Sequence, residues 1–300
     1  MKKKTYLFAL MAMALALGSC SDNENGIGGE ASKYITVSTN IGSMTRVATD
    51  ADGGQTFEEG DEISVYAWTG DATVAPETRE RVVNNAINKL TNGSWVSTPQ
   101  MLWKNNRDKH YIIGVYPISA ISDLSTGEYT FDETKQVESD LLVAVNKDGL
   151  SYNVDEQQPV PLTFTHVMAK LVVNLTYKNQ WGGIPTVEKV VVGNAAKEAT
   201  INYLTKVVTP STTAKEDFSL PEITENTKYV SVIIPQEDVK QLTIVIDGKN
   251  FVYDNGTPFK LESGKITTVN LEVGRDEIKL GDVKITDWEN GSTFSGEALN

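Results

Sequence analysis

From residue 34 onward the chain alternates apolar and polar residues in short runs. In Tyr34–Ile41, Ile35, Val37 and Ile41 fall on one face and Thr36, Ser38 and Asn40 on the other. In Val167–Thr176, Val167, Ala169, Leu171, Val173 and Leu175 share a face. A period of two over eight to ten residues predicts half-buried strands. Shorter runs of the same kind occur at Ile63–Trp68, Tyr111–Tyr116, Leu141–Val145, Val187–Val192, Tyr229–Ile234, Leu242–Ile246, Phe251–Tyr253, Ile266–Val273 and Val283–Trp288. Asp247-Gly248 stands between two of them and predicts a two-residue hairpin of type I′. Near the end, Ile278 and Leu280 alternate, Gly281-Asp282 breaks the phase, and Val283 and Ile285 resume it before Trp288. One extra residue between two alternating stretches predicts a bulge.

One segment departs from this pattern. In Arg79–Leu90, Val82, Val83, Ala86, Ile87 and Leu90 fit helical spacing, so a short helix and an irregular edge strand are both open. No second run has helical length, which excludes repeated strand–helix–strand units. The class is therefore all-β. About a dozen strands exceed one seven-stranded sandwich, so two tandem β-sandwich domains are expected. The polar Asp155-Glu156-Gln157-Gln158, followed by Pro159 and Pro161, places the division there: 33–158 and 159–300.

The N-terminus has a different pattern. Lys2, Lys3 and Lys4 precede an uncharged run from Tyr6 to Leu17 that ends in Leu17-Gly18-Ser19-Cys20. The run suits a secretory signal and is shorter than the ~20 residues a membrane span needs. Its ending resembles a bacterial lipobox, in which the signal (1–19) is removed and the cysteine becomes a lipidated N-terminus. Cys20 is the sole cysteine, so there is no intrachain disulfide and no cysteine zinc site. Two or more acyl chains would anchor the protein stably. Residues 20–32 are rich in Gly, Ser, Asn and Glu and read as a tether. Lys and Arg number 27 against 40 Asp and Glu, a formal charge of −13 that becomes −16 once the three lysines of the signal are gone. Such acidity argues against nucleic acid as a partner.

Candidate chemistry is sparse. His110 and His166 each open an apparent strand, far apart in sequence, and fit hydrogen-bonding roles better than a triad or a metal site. Asp50-Ala51-Asp52-Gly53-Gly54 has part of a calcium-loop pattern without its terminal glutamate. Glu58, Glu59, Asp61 and Glu62 cluster as a solvated turn would. Trp68, Trp95, Trp103, Trp181 and Trp288 could offer sugar-stacking faces or fill cores. No phosphate loop or cofactor motif is present, and nothing points to an enzyme.

Several segments, taken in order, resemble the fimbrillin family, the Mfa-like subunits of type V pili. They are Phe57-Glu58-Glu59-Gly60-Asp61-Glu62-Ile63-Ser64-Val65-Tyr66, His110–Pro117, Asp140–Ala144, Leu162-Thr163-Phe164-Thr165-His166 with Val167–Leu171, and Ile285-Thr286-Asp287-Trp288-Glu289-Asn290-Gly291. The resemblance implies two transthyretin-like β-sandwiches in a lipoprotein precursor carried to the outer membrane surface. It implies removal of the first strand by an arginine-specific protease and filling of the vacated groove by a strand of another subunit. Arg46-Val47 lies just after the first strand, in a stretch without alternation, and is the processing site the resemblance implies. The strand bearing Val283, Ile285 and Trp288 could be the donated strand, or a plain last strand closing its own sheet. Implied partners are other fimbrial subunits, the membrane through the lipid, and a host or bacterial surface ligand. A monomeric surface lipoprotein that binds glycan is the alternative.

Overall fold

The computed structural model describes residues 34–42, 56–152, 158–254 and 256–288; Cys20, Arg46, Val47 and the Asp50–Gly54 loop lie outside them. Eight strands come first: β1 (Val37–Ile41), β2 (Glu62–Thr69), β3 (Arg81–Thr91), β4 (Ser94–Thr98), β5 (His110–Tyr116), β6 (Gly127–Thr130), β7 (Leu142–Leu150) and β8 (Val160–His166). Eleven follow: β9 (Ala169–Tyr177), β10 (Val187–Ala196), β11 (Glu198–Asn202), β12 (Val207–Pro210), β13 (Lys215–Ser219), β14 (Glu222–Thr224), β15 (Lys228–Ile233), β16 (Gln241–Ile246), β17 (Lys249–Asp254), β18 (Lys265–Val273) and β19 (Ile278–Asp287). The described helical structure is two single 3₁₀ turns, at Thr78–Glu80 and Asn179–Trp181, and no helix among the described residues is long and apolar enough to cross a membrane. The all-β sandwich class stands.

Every alternating run read from the sequence is a strand. Asp247 and Gly248 both have positive φ, 51° and 69°, as a type I′ turn requires, and they join Ile246 to its partner Lys249. Gly281 is the extra residue of a bulge in β19: Asn270 opposes Asp282 and the next residue, Leu271, opposes Leu280. The helix-like segment is β3, which corrects the helical option. Its register slips because Asn84 and Asn85 together face the one residue Tyr66, with Asn85 at φ 54°. The bulge puts Val83 and Ala86 on the same buried face, and a strand thereby imitates an i, i+3 spacing.

The first seven-stranded sheet has the order β1-β8-β7-β5-β2-β3-β4. It folds over itself: β1 and β8 lie across one face of β2, β3 and β5, enclosing Ile63, Val65, Val83, Ala86, Met101, Ile112 and Leu162 among others. Because β2 and β5 are covered on both faces, their side chains divide between two cores. Ile63, Val65 and Ala67 point inward, whereas Tyr66 and Trp68 point to the far side. On that far side lies the second unit, in which β14-β15-β9-β18-β19 faces β13-β10-β16-β17. A small sheet, β12-β11-β6, joins the two: β6 comes from the first part of the chain and pairs with β11 from the second. Gly127 in β6 is required there, because a Cβ would stand 2.5 Å from the Tyr203 ring. One apolar core thus runs from Tyr66, Ile113 and Leu124 through Phe131 and Phe218 to Leu171, Ile244 and Val269. Sheet membership changes between His166 and Ala169, shortly after the Pro159–Pro161 stretch, since β8 pairs with β1 and β7.

Candidate functional site: the slot of the first strand

Strand β1 is held by groups on both of its edges. On one edge it runs parallel to β8, with Val37 opposite Val160 and Ile41 opposite Phe164. The Val160 N–H donates to the Thr36 carbonyl and the Gly42 N–H to the Phe164 carbonyl, each at 2.8 Å. On the other edge the Ile35 N–H donates to the Met101 carbonyl at 2.8 Å, and Tyr34 bridges Leu102. Trp95 in β4 donates its indole N–H to the Thr39 hydroxyl at 2.9 Å. Ile35 and Val37 are buried, at 2% and 5% exposure, while Ile41 is half-buried against the same core. Two fully buried aliphatic side chains are worth roughly 3–6 kcal/mol as an upper figure.

The floor of this slot is aromatic and tightly fitted. Phe57, ahead of β2, meets Trp95, Tyr116 and Phe164 edge-on at centroid distances of 5.3, 5.4 and 5.1 Å. Phe164 lies over Gly114 of β5, where a Cβ would be 2.6 Å from the ring. Removing β1 would uncover Met101, Val160, Leu162 and Phe164 and leave unpaired main-chain groups along β8 and at Met101. Such a slot would have the shape and the main-chain groups to take an extended chain with apolar residues at alternate positions. Sequence reading missed Met101, because the 99–109 stretch around it has no alternation to mark it as part of the wall.

The C-terminal residues sit elsewhere. β19 is the outer strand of its sheet, paired along its length with β18. Val283 and Ile285 are each 39% exposed, whereas Trp288 is buried. The Trp288 ring lies flat on His166, 4.0 Å between centroids and 6° between planes, and the Trp288 backbone N–H donates to the Gly264 carbonyl at 3.0 Å. The Nδ1 of His166 is 2.8 Å from Asp140 Oδ1. Lys170 lies 4.8 Å over the Trp288 ring; burial pushes its ammonium down to about 8, with Asp140 pulling the other way. Sequence reading names His166 and Trp288 separately and does not bring them together.

The remaining polar residues are structural. The buried His110 accepts the Lys104 N–H at Nε2 (3.0 Å), leaving Nδ1 to donate to the Asp108 carbonyl (3.1 Å), and burial holds its imidazole below the usual range. In the acidic turn, Asp61 accepts the Glu58 N–H (2.7 Å), Glu59 accepts the Asn92 N–H (2.8 Å), and Glu62 pairs with Lys89. No cluster of three metal-ligating side chains exists among the described residues. The tryptophans fill cores or lock edges: Trp68 is buried, Trp95 fastens β1, Trp103 packs on His110, and Trp181 on Phe251.

The chain is thus an all-β protein in which a folded-over seven-stranded sheet, with β1 at its edge, is fused to a second sandwich. A family model described as fimbrillin-like matches residues 45–288. The chain belongs to that family, a structural and adhesive class without enzymatic activity, and it is a fimbrial or adhesion subunit of the cell surface. It is 24% identical to a Bacteroides uniformis protein named as a candidate fimbrium subunit, Fim1C, over 99% of this chain and all of that one. A crystal structure of a candidate cell adhesion protein from Bacteroides ovatus superposes with a TM-score of 0.62 at 19% identity, covering 85% of this chain and 98% of that one. The tip fimbrial protein Mfa3 of Porphyromonas gingivalis, truncated at its C-terminus, superposes with a TM-score of 0.50 at 11% identity, covering 79% and 97%.

Proposed function

We propose that this chain is a shaft or tip subunit of a surface fimbrium. It is exported as a lipoprotein through Cys20, cut after Arg46, and polymerised by a neighbour's strand entering the slot that β1 leaves. The observation that carries this reading is the seating of β1. It is short, laddered to β8 on one edge and tied on the other at Tyr34 and Ile35 just ahead of it, with Ile35 and Val37 as buried anchors. Arg46 falls in the stretch that leads out of the strand, so cutting there separates β1 from the body of the fold. An intact precursor keeps its slot filled and stays monomeric, because a buried strand cannot serve as a template for another chain. The lipid and the strand leave together, which couples release from the membrane to competence for assembly. Val283 and Ile285, half-exposed on the edge strand β19, suit an alternating donor segment.

Arg46→Ala tests this reading in cells. The variant should accumulate as a surface-held monomer and give no heat-labile ladder of multimers. An undiminished ladder would contradict it. Cys20→Ala should abolish incorporation of a fatty-acid analogue; labelling that persists would remove the lipoprotein step.

A further inference from the structure

Strand β8 has a divided set of partners. Over Val160–Phe164 its main-chain ladder among the described residues runs to β1, while Thr165 and His166 pair with Val143 and Leu142 of β7. Pro161, within the β1-paired half, has no N–H to give a partner on the opposite edge. The strand therefore changes partners in mid-course, and its first half depends on β1 for its ladder hydrogen bonds.

The far end of the same strand carries the seat of the C-terminal strand. The His166 side chain is 2% exposed, and one face of its ring is covered by Trp288. The surrounding turn is closely fixed: the Val167 N–H donates to the Leu141 carbonyl at 3.0 Å, the Gly264 N–H to the Met168 carbonyl at 2.8 Å, and the Ser263 hydroxyl to the Val167 carbonyl at 2.8 Å. A Cβ on Gly264 would come within 3.1 Å of the His166 carbonyl oxygen. Between Asp282 and Thr286 the side chains of β19 are exposed although its main chain pairs with β18 throughout, so its buried side-chain contact at the C-terminal end is that of Trp288.

We infer that β8 is a mechanical link between the two ends of the chain: occupancy of the β1 slot keeps Trp288 seated on His166, and loss of β1 loosens the C-terminal end of β19. The reasoning is local. Backbone groups of Val160–Phe164 deprived of β1 must find water or another strand, so the half-strand opens more often. His166 lies two residues from that half and shares its backbone course. A ring stacked flat on Trp288 at 4.0 Å loses contact with small displacements. Coupling of this kind is reciprocal: unseating Trp288 must loosen β1 by the same factor. The inference rests on the pairing pattern and does not require that β1 is ever removed by proteolysis.

Amide hydrogen exchange on the full chain, read by mass spectrometry of peptic fragments, tests it. In Ile35→Ala/Val37→Ala, fragments covering 160–166 and 284–288 should both exchange at least tenfold faster, with fragments of β10 and β16 unchanged. Faster exchange at 160–166 with no change at 284–288 would overturn the link, as would no change at 160–166. Should β10 and β16 also lose protection, the reverse substitution decides. Trp288→Ala should speed exchange in 35–41 and 160–166 at least tenfold, and unchanged rates in both would overturn it.

Discussion

At the scale of single residues, close fit and local hydrogen bonding set what can change. Gly114 exists because the Phe164 ring occupies the place of its side chain. Gly114→Ala should cost about 1–3 kcal/mol in urea unfolding through overpacking of the slot floor. Pairing it with Phe164→Leu should recover part of that loss, whereas strict additivity would contradict the packing argument. His110 gives a pH dependence with a definite sign. Its native imidazole is held neutral by burial and by accepting the Lys104 N–H, so the unfolded chain binds the proton more readily. Its contribution to stability is full above about 6.5 and is lost as the pH falls below that value. The urea midpoint of the wild type should drop more between pH 7.5 and 5.5 than that of His110→Gln; equal drops would contradict the assignment. Both histidines read from the sequence as hydrogen-bonding residues that open strands; His110 does open β5, whereas His166 closes β8 and the next strand starts at Ala169. Their partners, a backbone amide and a tryptophan 122 residues further on, were not readable, because neither contact leaves a mark in local spacing.

At the scale of elements, legibility followed exposure. Strands with one wet face, such as β1, β9 and β18, alternate cleanly and were visible. β3 was ambiguous because its register against β2 shifts twice, on either side of Val83, and each shift breaks the phase. β8 was hidden for another reason: Val160, Leu162 and Phe164 alternate, but two prolines within three residues read as a boundary. β4, β6 and β11 to β14 are three to five residues long, too short for a period to show. The two strands of functional interest differ in how they are held, and substitutions should report it. Ile35→Ala, two residues ahead of β1, should cost about 2–5 kcal/mol, since the side chain is 2% exposed in a close-packed core. Val283→Ala, in β19, should stay within about 0.5 kcal/mol, being on a half-exposed outer strand. Equal costs would mean that β1 is not the anchored strand and β19 not the lightly held one.

At the scale of the whole molecule, two sandwiches were countable from the strands, but their fusion was not. It depends on β6, four residues from the first part of the chain that complete a sheet of the second, and on Gln136, whose side-chain oxygen accepts the Val232 N–H at 2.7 Å and the Ser231 hydroxyl at 3.2 Å. A core shared across both parts should unfold as one unit. Thermal or urea unfolding followed by near-ultraviolet and far-ultraviolet dichroism should give one coincident transition, and two separated transitions would refute a shared core. One cooperative body of this kind would suit the proposed role in a fimbrium. The central claim, that such a body is made assembly-competent by losing its first strand, is tested most directly by the N-terminus of the protein recovered from surface polymers. Sequencing of that material should begin at Val47, with Cys20 and β1 absent. Polymers whose subunits still begin at lipidated Cys20 would contradict the account.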